Sequence, residues 1–265
     1  MNTIILIPAR FHSSRYPGKP LVGLKGASGS SKPLIQRSVE AARRVAGASG
    51  VFVTTDDERI ADACAAFGVG VIMTSRECRN GTERCAQALG ALHDPDLVIN
   101  FQGDALLTPA GFVESLIARM NEDSNARVAT PAMRLRSSEA RALQSEEASG
   151  RVGGTSVVTD NQGYALYFSK RLIPHLPAHA LDGAMSPVRL HVGVYAYRRE
   201  ALEHYLATPV SELELLEGLE QLRFLAAGVP VAVVDVEAPS FAFRELNNPE
   251  DVAPIEQALA EAGLE

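Results

Sequence analysis

The sequence predicts an α/β fold in three layers, with helices covering both faces of a central sheet. Three observations point there. Short apolar runs at Ile4 to Ile7, Val51 to Thr54, Val69 to Met73 and Leu97 to Phe101 have the unbroken character of buried parallel strands. Helix-period segments lie between them, so the first part of the chain reads βαβαβ. The chain has 265 residues, 46% of them hydrophobic, enough for one large α/β domain or two small ones, and it is read as a single domain spanning residues 1–265.

Each element has a local reason. The first strand stops at Pro8-Ala9, and Gly26 to Ser31 reads as a flexible link. Lys32-Pro33 opens a helix with Leu34, Ile35, Val39 and Ala42 on one face. Asp56 or Asp57 caps the helix from Glu58 to Phe67, and Gly68 ends it. A helix from Asn80 to Leu92 turns Cys85, Ala88, Leu89 and Leu92 inward. Arg127 to Leu135 reads as a strand, followed by a surface helix from Ser137 to Glu147. Asp160-Asn161-Gln162-Gly163 marks a hairpin between Ser156 to Thr159 and Tyr164 to Ser169. Leu176 to Val188 reads as irregular, a lid or dimer-contact loop, and His191 to Tyr197 as one strand. Arg199 to Leu206 is a helix. Ser211 caps a continuous helix from Glu212 to Ala226, with Leu213, Leu216, Leu219 and Leu222 on its apolar side. By that spacing most of Glu214, Glu217, Glu220, Gln221 and Arg223 form a solvated face. Val231 to Val236 is the last strand and Pro249 to Ala262 the closing helix.

Composition excludes some classes of function. The net charge is −7, against the basic footprint a nucleic-acid surface needs. No apolar run reaches membrane-spanning length, and the amino terminus lacks the basic region of a signal peptide. Cys64, Cys78 and Cys85 are odd in number and have no zinc spacing, which suits a reduced, cytoplasmic protein.

The chemistry-bearing residues gather after strands. Pro8 and Ala9 lead into a loop carrying Arg10, Ser13, Ser14, Arg15 and Lys19. A loop at the carboxyl end of a first strand is where open α/β sheets bind ligands. Three cations and two hydroxyls there suit a polyphosphate, because guanidinium and ammonium groups form charge-assisted bonds to phosphate oxygens. Neither of the common glycine-rich phosphate strings follows the strand. Asn80-Gly81-Thr82 at a helix start reads either as a plain cap or as backbone amides facing a polar ligand. Gln102-Gly103-Asp104 ends a buried strand, where Asp104 is a candidate Mg²⁺ ligand or a helix cap. His191, by itself, reads as a packed, hydrogen-bonded histidine.

These motifs resemble those of the 3-deoxy-manno-octulosonate (Kdo) cytidylyltransferases. IPARFHSSRYPGKPL looks like that family's I-P-A-R-x-x-S-T-R-L-P-G-K-P-L, and NGTER agrees with its S/T-G-T-E-R at four of five positions. GYALYFS is similar to it, and HVGVYAY matches its H-x-G-I/L-Y-G/A-Y strand. The resemblance covers nearly the whole chain. It implies a three-layer nucleotidyltransferase fold with a mixed, mostly parallel sheet and a small inserted sheet near the acceptor site. Residues 127–200 would contribute acceptor-site and dimer-contact elements.

The implied reaction transfers CMP from CTP to an acidic eight-carbon sugar, 3-deoxy-manno-octulosonate, releases pyrophosphate and uses Mg²⁺, in a homodimer. By that resemblance Lys19, Arg10 and Asp104 are catalytic. The nucleotide would meet Pro8, Ala9, Arg10, Ser13, Ser14, Arg15, Lys19, Arg76, Asn80, Gly81, Thr82, Gln102 and Asp104. The acceptor would meet Gln102, His191, Tyr195, Glu217, Glu220 and Gln221.

The chain departs from the pattern around the acceptor and the metal. Ala105 and Leu106 replace the Glu-Pro after Asp104, and Ser156 stands at the start of a strand usually preceded by a Lys. Asn247 replaces the metal-binding Asp of G-V-D-T-P-E-D-L, leaving Asp104 and Asn247 as the metal candidates. The clustering suggests an acceptor other than ordinary Kdo: another ulosonic acid or a phosphonate. Two alternatives are an enzyme using another nucleotide on a sugar phosphate and a catalytically silent nucleotide-binding homologue.

Overall fold

The computed structural model describes residues 1–13, 15–241 and 244–265. Its first half carries β1 (Thr3–Ala9), β2 (Gly23–Lys25), β3 (Ser31–Pro33), α1 (Leu34–Ala42), β4 (Gly50–Thr55), α2 (Glu58–Ala66), β5 (Gly70–Met73), α3 (Gly81–Ala88), β6 (Leu97–Phe101) and α4 (Ala110–Glu122). The second half carries β7 (Val128–Arg136), α5 (Ser137–Ala148), β8 (Ser156–Thr159), β9 (Ala165–Ser169), β10 (Met185–His191), β11 (Val194–Tyr197), α6 (Arg199–Ala207), α7 (Glu212–Glu217), α8 (Leu222–Ala226), β12 (Val231–Val236) and α9 (Val252–Glu261).

The large sheet runs β5-β4-β1-β6-β11-β7-β10-β8-β9, with β12 also paired to β7. Pairing is parallel among β5, β4, β1 and β6 and between β7 and β12, and antiparallel elsewhere in this sheet. Alternation along β1 divides the core. Ile5, Ile7 and Ala9 pack on the face covered by α1, α2 and α4, whereas Ile4 and Leu6 pack on the face covered by α3, α6 and α8. Cys64 and Cys85 are buried, one on each face, as small apolar groups. A third cluster joins Leu24, Leu34, Leu106 and Leu107 to Leu246 and α9. Among the described residues no helix is long and apolar enough to cross a membrane.

The chain winds from β1 to β4 on one side, while β6 flanks β1 on the other. Their carboxyl ends therefore open a crevice at the strand-order switch, where open α/β sheets take ligands.

Four local expectations need correction. The small separate sheet is the β2–β3 hairpin, closed by the link expected to be flexible, whereas β8 and β9 extend the main sheet. Met185 to Val188 is not irregular but opens β10; a register shift between Met185 and Arg189, around Pro187, hid its alternation. His191 to Tyr197 is not one strand. Val194 N–H turns back to Val192 O at 2.7 Å, so His191 ends β10 and Tyr195 belongs to β11.

The helix expected from Glu212 to Ala226 breaks at Gly218, which adopts a left-handed φ of 60°. The break re-aims both halves. Leu213 and Leu216 are 40% and 75% exposed, whereas Glu214, Gln221 and Arg223 are 8%, 2% and 1% exposed. The face read as solvated is thus partly core, because the turn points it at α3 and β6.

Candidate active site

The loop after β1 is folded back on itself. Gly18 N–H donates to Phe11 O at 2.8 Å, and Gly18 has φ 72° with the Phe11 ring 3.2 Å from where a Cβ would stand. Phe11 is itself held beneath the Arg59 guanidinium, 3.3 Å from its ring centre. This turn sends Lys19 across the crevice to Asp104, where Nζ lies 2.5 Å from Oδ2, both side chains being mostly buried. Gly103 makes the approach possible, since a Cβ there would fall 2.7 Å from Pro8 O.

Arg15 crosses in the same sense and donates to Asn247 Oδ1 at 2.8 Å. Asn247 is anchored through Leu246, which is fully buried against Leu106 and Leu107 just beyond Asp104. Arg10 is exposed at the strand end, and Ser13 is half-buried. Ser14, also expected to bind nucleotide, lies outside the described residues. Arg76 is exposed.

A second polar group sits on the α3 side. Asn80 caps α3 by accepting from Glu83 N–H at 2.8 Å and donates through Nδ2 to Tyr205 at 2.9 Å, so both ends of its amide serve the fold. Thr82 N–H and Gln102 Nε2 donate to the two oxygens of Glu220, at 3.1 and 3.3 Å. Thr82 and Tyr197 share a hydroxyl bond of 2.8 Å. Burial pushes the Glu220 carboxyl upward against those bonds. Gln221, 2% exposed, leaves Nε2 without a partner. Gln102 belongs to this group and is separated from Asp104 only by Gly103, so the two halves form one cleft.

His191 touches Phe168 and Tyr195 and shares a 3.0 Å bond with Thr130 Oγ1. Burial pushes its imidazole down to about 3, so it is neutral near pH 7. Tyr195 is 2% exposed, and burial raises its hydroxyl. Glu217 faces a different neighbourhood: it accepts from Ser169 Oγ at 2.7 Å and Lys170 N–H at 2.9 Å, at the end of β9.

Two residues of the cleft were not singled out from sequence. Asn100 is fully buried on β6 with neither amide atom paired, and Nδ2 lies 3.3 Å from where a Cβ of Gly81 would stand. An unpaired buried amide is costly, so it marks the place of a polar ligand or water. Its signal was a lone polar residue inside an apolar strand. Glu245 lies beside Gly193, where an added Cβ would be 3.4 Å from Oε1 and 3.8 Å from Gln102 Cγ. Burial and the nearby charge of Asp104 raise its carboxyl to about 7, while Lys19, Arg15 and a hydrogen bond from the Asn247 side chain oppose the shift. It opens the stretch matched to G-V-D-T-P-E-D-L, in which only Asn247 was given a role. Among the described residues no group of three or more His, Cys, Asp and Glu forms a ready metal cage.

The cleft thus presents cations from the β1 loop, a carboxylate across from them and a polar floor. That combination suits a polyphosphate approached by a second anion. Known proteins agree. A family model described as cytidylyltransferase matches residues 4–235. The 3-deoxy-manno-octulosonate cytidylyltransferase of Maricaulis maris is 39% identical over 264 residues, 99% of each chain. The 8-amino-3,8-dideoxy-manno-octulosonate cytidylyltransferase of Shewanella baltica is 38% identical, over 98% of this chain and 99% of its own. A solved structure of CMP:2-keto-3-deoxy-manno-octonic acid synthetase complexed with CTP superposes with a TM-score of 0.85 at 34% identity, covering 99% of this chain and 100% of the other.

Proposed function

The chain belongs to the cytidylyltransferase family and is a CTP-dependent nucleotidyltransferase, and from that premise we propose the following reaction. It transfers CMP from CTP to an acidic eight-carbon ulosonate. An acceptor hydroxyl oxygen bonds to the α-phosphorus, the bond to the bridging oxygen of the β-phosphate breaks, pyrophosphate leaves, and the hydroxyl proton passes to solvent. The observation that carries this reading is Lys19 spanning from the β1 loop to Asp104, with Arg15 beside it on Asn247.

Two anions must meet. At 4 Å, two unit charges repel by about 4 kcal/mol at an effective dielectric near 20, and a triphosphate multiplies that opposition. Arg10, Arg15 and Lys19 offset it by binding the triphosphate, and the α3 start with Gly81, Thr82 and Asn100 faces the nucleoside end. Gln102, His191, Tyr195, Glu220 and Gln221 form the acceptor wall. His191 takes part as a neutral hydrogen-bonding group, because burial keeps the proton off.

Cytidylyltransferases in general use a divalent metal. The site fits one: the Asp104 carboxylate faces the cation-lined crevice, and hard divalent cations favour such oxygen donors. We take the metal to be Mg²⁺, with Asp104 as a ligand. When bound, it would neutralise phosphate charge and polarise the α-phosphoryl group.

A cytoplasmic setting is supported by three free thiols, and a homodimer by the exposed Leu213, Leu215 and Leu216 on α7. Relatives named for the hydroxy and the amino sugar match at 39% and 38%, so both belong in the assay. Pyrophosphate release is measured with CTP, UTP and ATP against both sugars, other sugar acids and phosphonates. Release with CTP and a ulosonate alone is expected. CTP binding with no release for any sugar acid would overturn the reading.

A further inference from the structure

We propose that Thr130 is a positioning residue that fixes His191 as the tautomer protonated on Nε2, so that Nδ1 takes a hydroxyl or ammonium hydrogen of the acceptor sugar and does not bind its carboxylate. The inference deepens the functional reading above and rests on it for the molecule that reaches His191.

The tautomer follows from counting hydrogens. Thr130 is fully buried on β7, and its Oγ1 lies 2.8 Å from Val194 O, 3.2 Å from Val192 O and 3.0 Å from His191 Nε2. A carbonyl only accepts and a hydroxyl carries a single hydrogen, so that hydrogen goes to the carbonyls. The ring must then donate the third contact, which puts its proton on Nε2. The chain path explains why two carbonyls converge there. Val194 N–H turns back to Val192 O at 2.7 Å, and Val192 N–H donates to Pro131 O at 3.0 Å. Pro131 has no N–H to return, so the Thr130 hydroxyl supplies the donor that the backbone lacks at this turn.

A neutral imidazole protonated on Nε2 offers only a lone pair at Nδ1. Burial keeps a second proton off the ring near pH 7. None of the described residues bonds Nδ1, and His191 is only half-buried. Phe168 and Tyr195 flank the ring. Gly193, at the same turn, stands where an added Cβ would be 3.8 Å from Gln102 Cγ, so the open part of the ring lies on the cleft. A carboxylate has no hydrogen to give such an atom and is repelled by its lone pair. A sugar hydroxyl or an ammonium group has one. The acceptor's own charge must therefore be met elsewhere in the cleft.

The test labels the full chain with nitrogen-15 histidine. Two-bond proton–nitrogen correlation at pH 7 reads which ring nitrogen carries the proton, and the signals lost in His191→Gln assign the residue. The Nε2–H form is expected. Saturation with 3-deoxy-manno-octulosonate or its 8-amino counterpart, whichever supports pyrophosphate release, is expected to shift Nδ1 while Nε2 keeps its proton. In Thr130→Val the Nδ1–H form is expected to appear, with KM for the acceptor raised at least fivefold and KM for CTP within twofold of wild type. Thr130→Ser keeps the hydroxyl, and the Nε2–H form and an acceptor KM within threefold of wild type are expected. A Thr130 that served packing alone would leave the tautomer unchanged in Thr130→Val, and that result overturns the inference. So does a proton on Nδ1 in the wild type, free or with acceptor bound, which decides the matter even if Thr130→Val folds poorly by circular dichroism. In either case pyrophosphate release from CTP leaves the functional reading standing. If no sugar acid releases pyrophosphate, that reading falls and takes the role of Nδ1 with it, whatever the tautomer.

Discussion

Replacing Arg223 by Met tests how the nucleotide end of the cleft is held. Arg223 is 1% exposed and grips both oxygens of Glu214 at 2.6 Å. It also donates to Glu83 Oε1 at 3.2 Å and lies 3.9 Å from the Tyr205 ring centre. Glu83 sits in the first turn of α3, so this one guanidinium ties α7 and α8 to the helix start that presents Gly81 and Thr82. Methionine fills much of the same space but leaves Glu214 buried without its cation. Removing one partner of a buried pair costs about 3–5 kcal/mol. Glu83 keeps Arg79, which donates to it at 2.8 Å, so the lower end applies, about 3 kcal/mol. For a chain of this size that corresponds to a fall in Tm of roughly 6–12 °C. Arg223→Lys restores the charge but not the two-pronged fork, and recovers less than half of the loss. Differential scanning calorimetry reads both. A Tm within about 2 °C of wild type for Arg223→Met would refute the reasoning, since a loss that small cannot accompany an uncompensated buried carboxylate.

Gly103→Ala places a Cβ 2.7 Å from Pro8 O, so β1 and β6 must part at the crevice. A loss of about 1–3 kcal/mol in urea unfolding, with a larger proportional fall in turnover, is expected. His191 is held near 3 against an ordinary value of 6.5, so its ring signals stay flat from pH 5 to 8 in NMR titration. Because the unfolded chain takes up this proton first, the group's contribution to stability is complete above pH 6.5 and declines as pH falls toward 3. A titration midpoint near 6.5 in the folded protein would contradict its burial.

Much of the architecture was legible because it rests on local rules. β1, β4 and β6 are unbroken apolar runs, and Asp57 caps α2 by accepting from Arg59 N–H at 3.0 Å. The cation loop was legible for the same reason: Pro17, Gly18 and Pro20 mark a turn, and a turn after β1 must face the crevice. The misses come from contacts distant in sequence. Leu216 and Arg223 carry opposite hydrophobicity, yet the Gly218 turn exposes the first and buries the second, because Glu83 and Glu214 await a cation inside. Glu245 was passed over because what raises its carboxyl, burial and the charge of Asp104, comes from far away in the chain. Asn100 was passed over within a strand otherwise apolar, although a lone amide there is the kind of exception that binding sites produce.

The central claim is that the triphosphate of CTP lies along Arg10, Arg15 and Lys19, with its innermost phosphorus toward Asp104. A crystal structure of the protein with CTP tests it most directly. The account predicts phosphate oxygens within hydrogen-bond distance of at least two of those three side chains, and the cytosine on the Gly81–Asn100 side. CTP bound elsewhere, with the β1 loop facing only solvent, would contradict it.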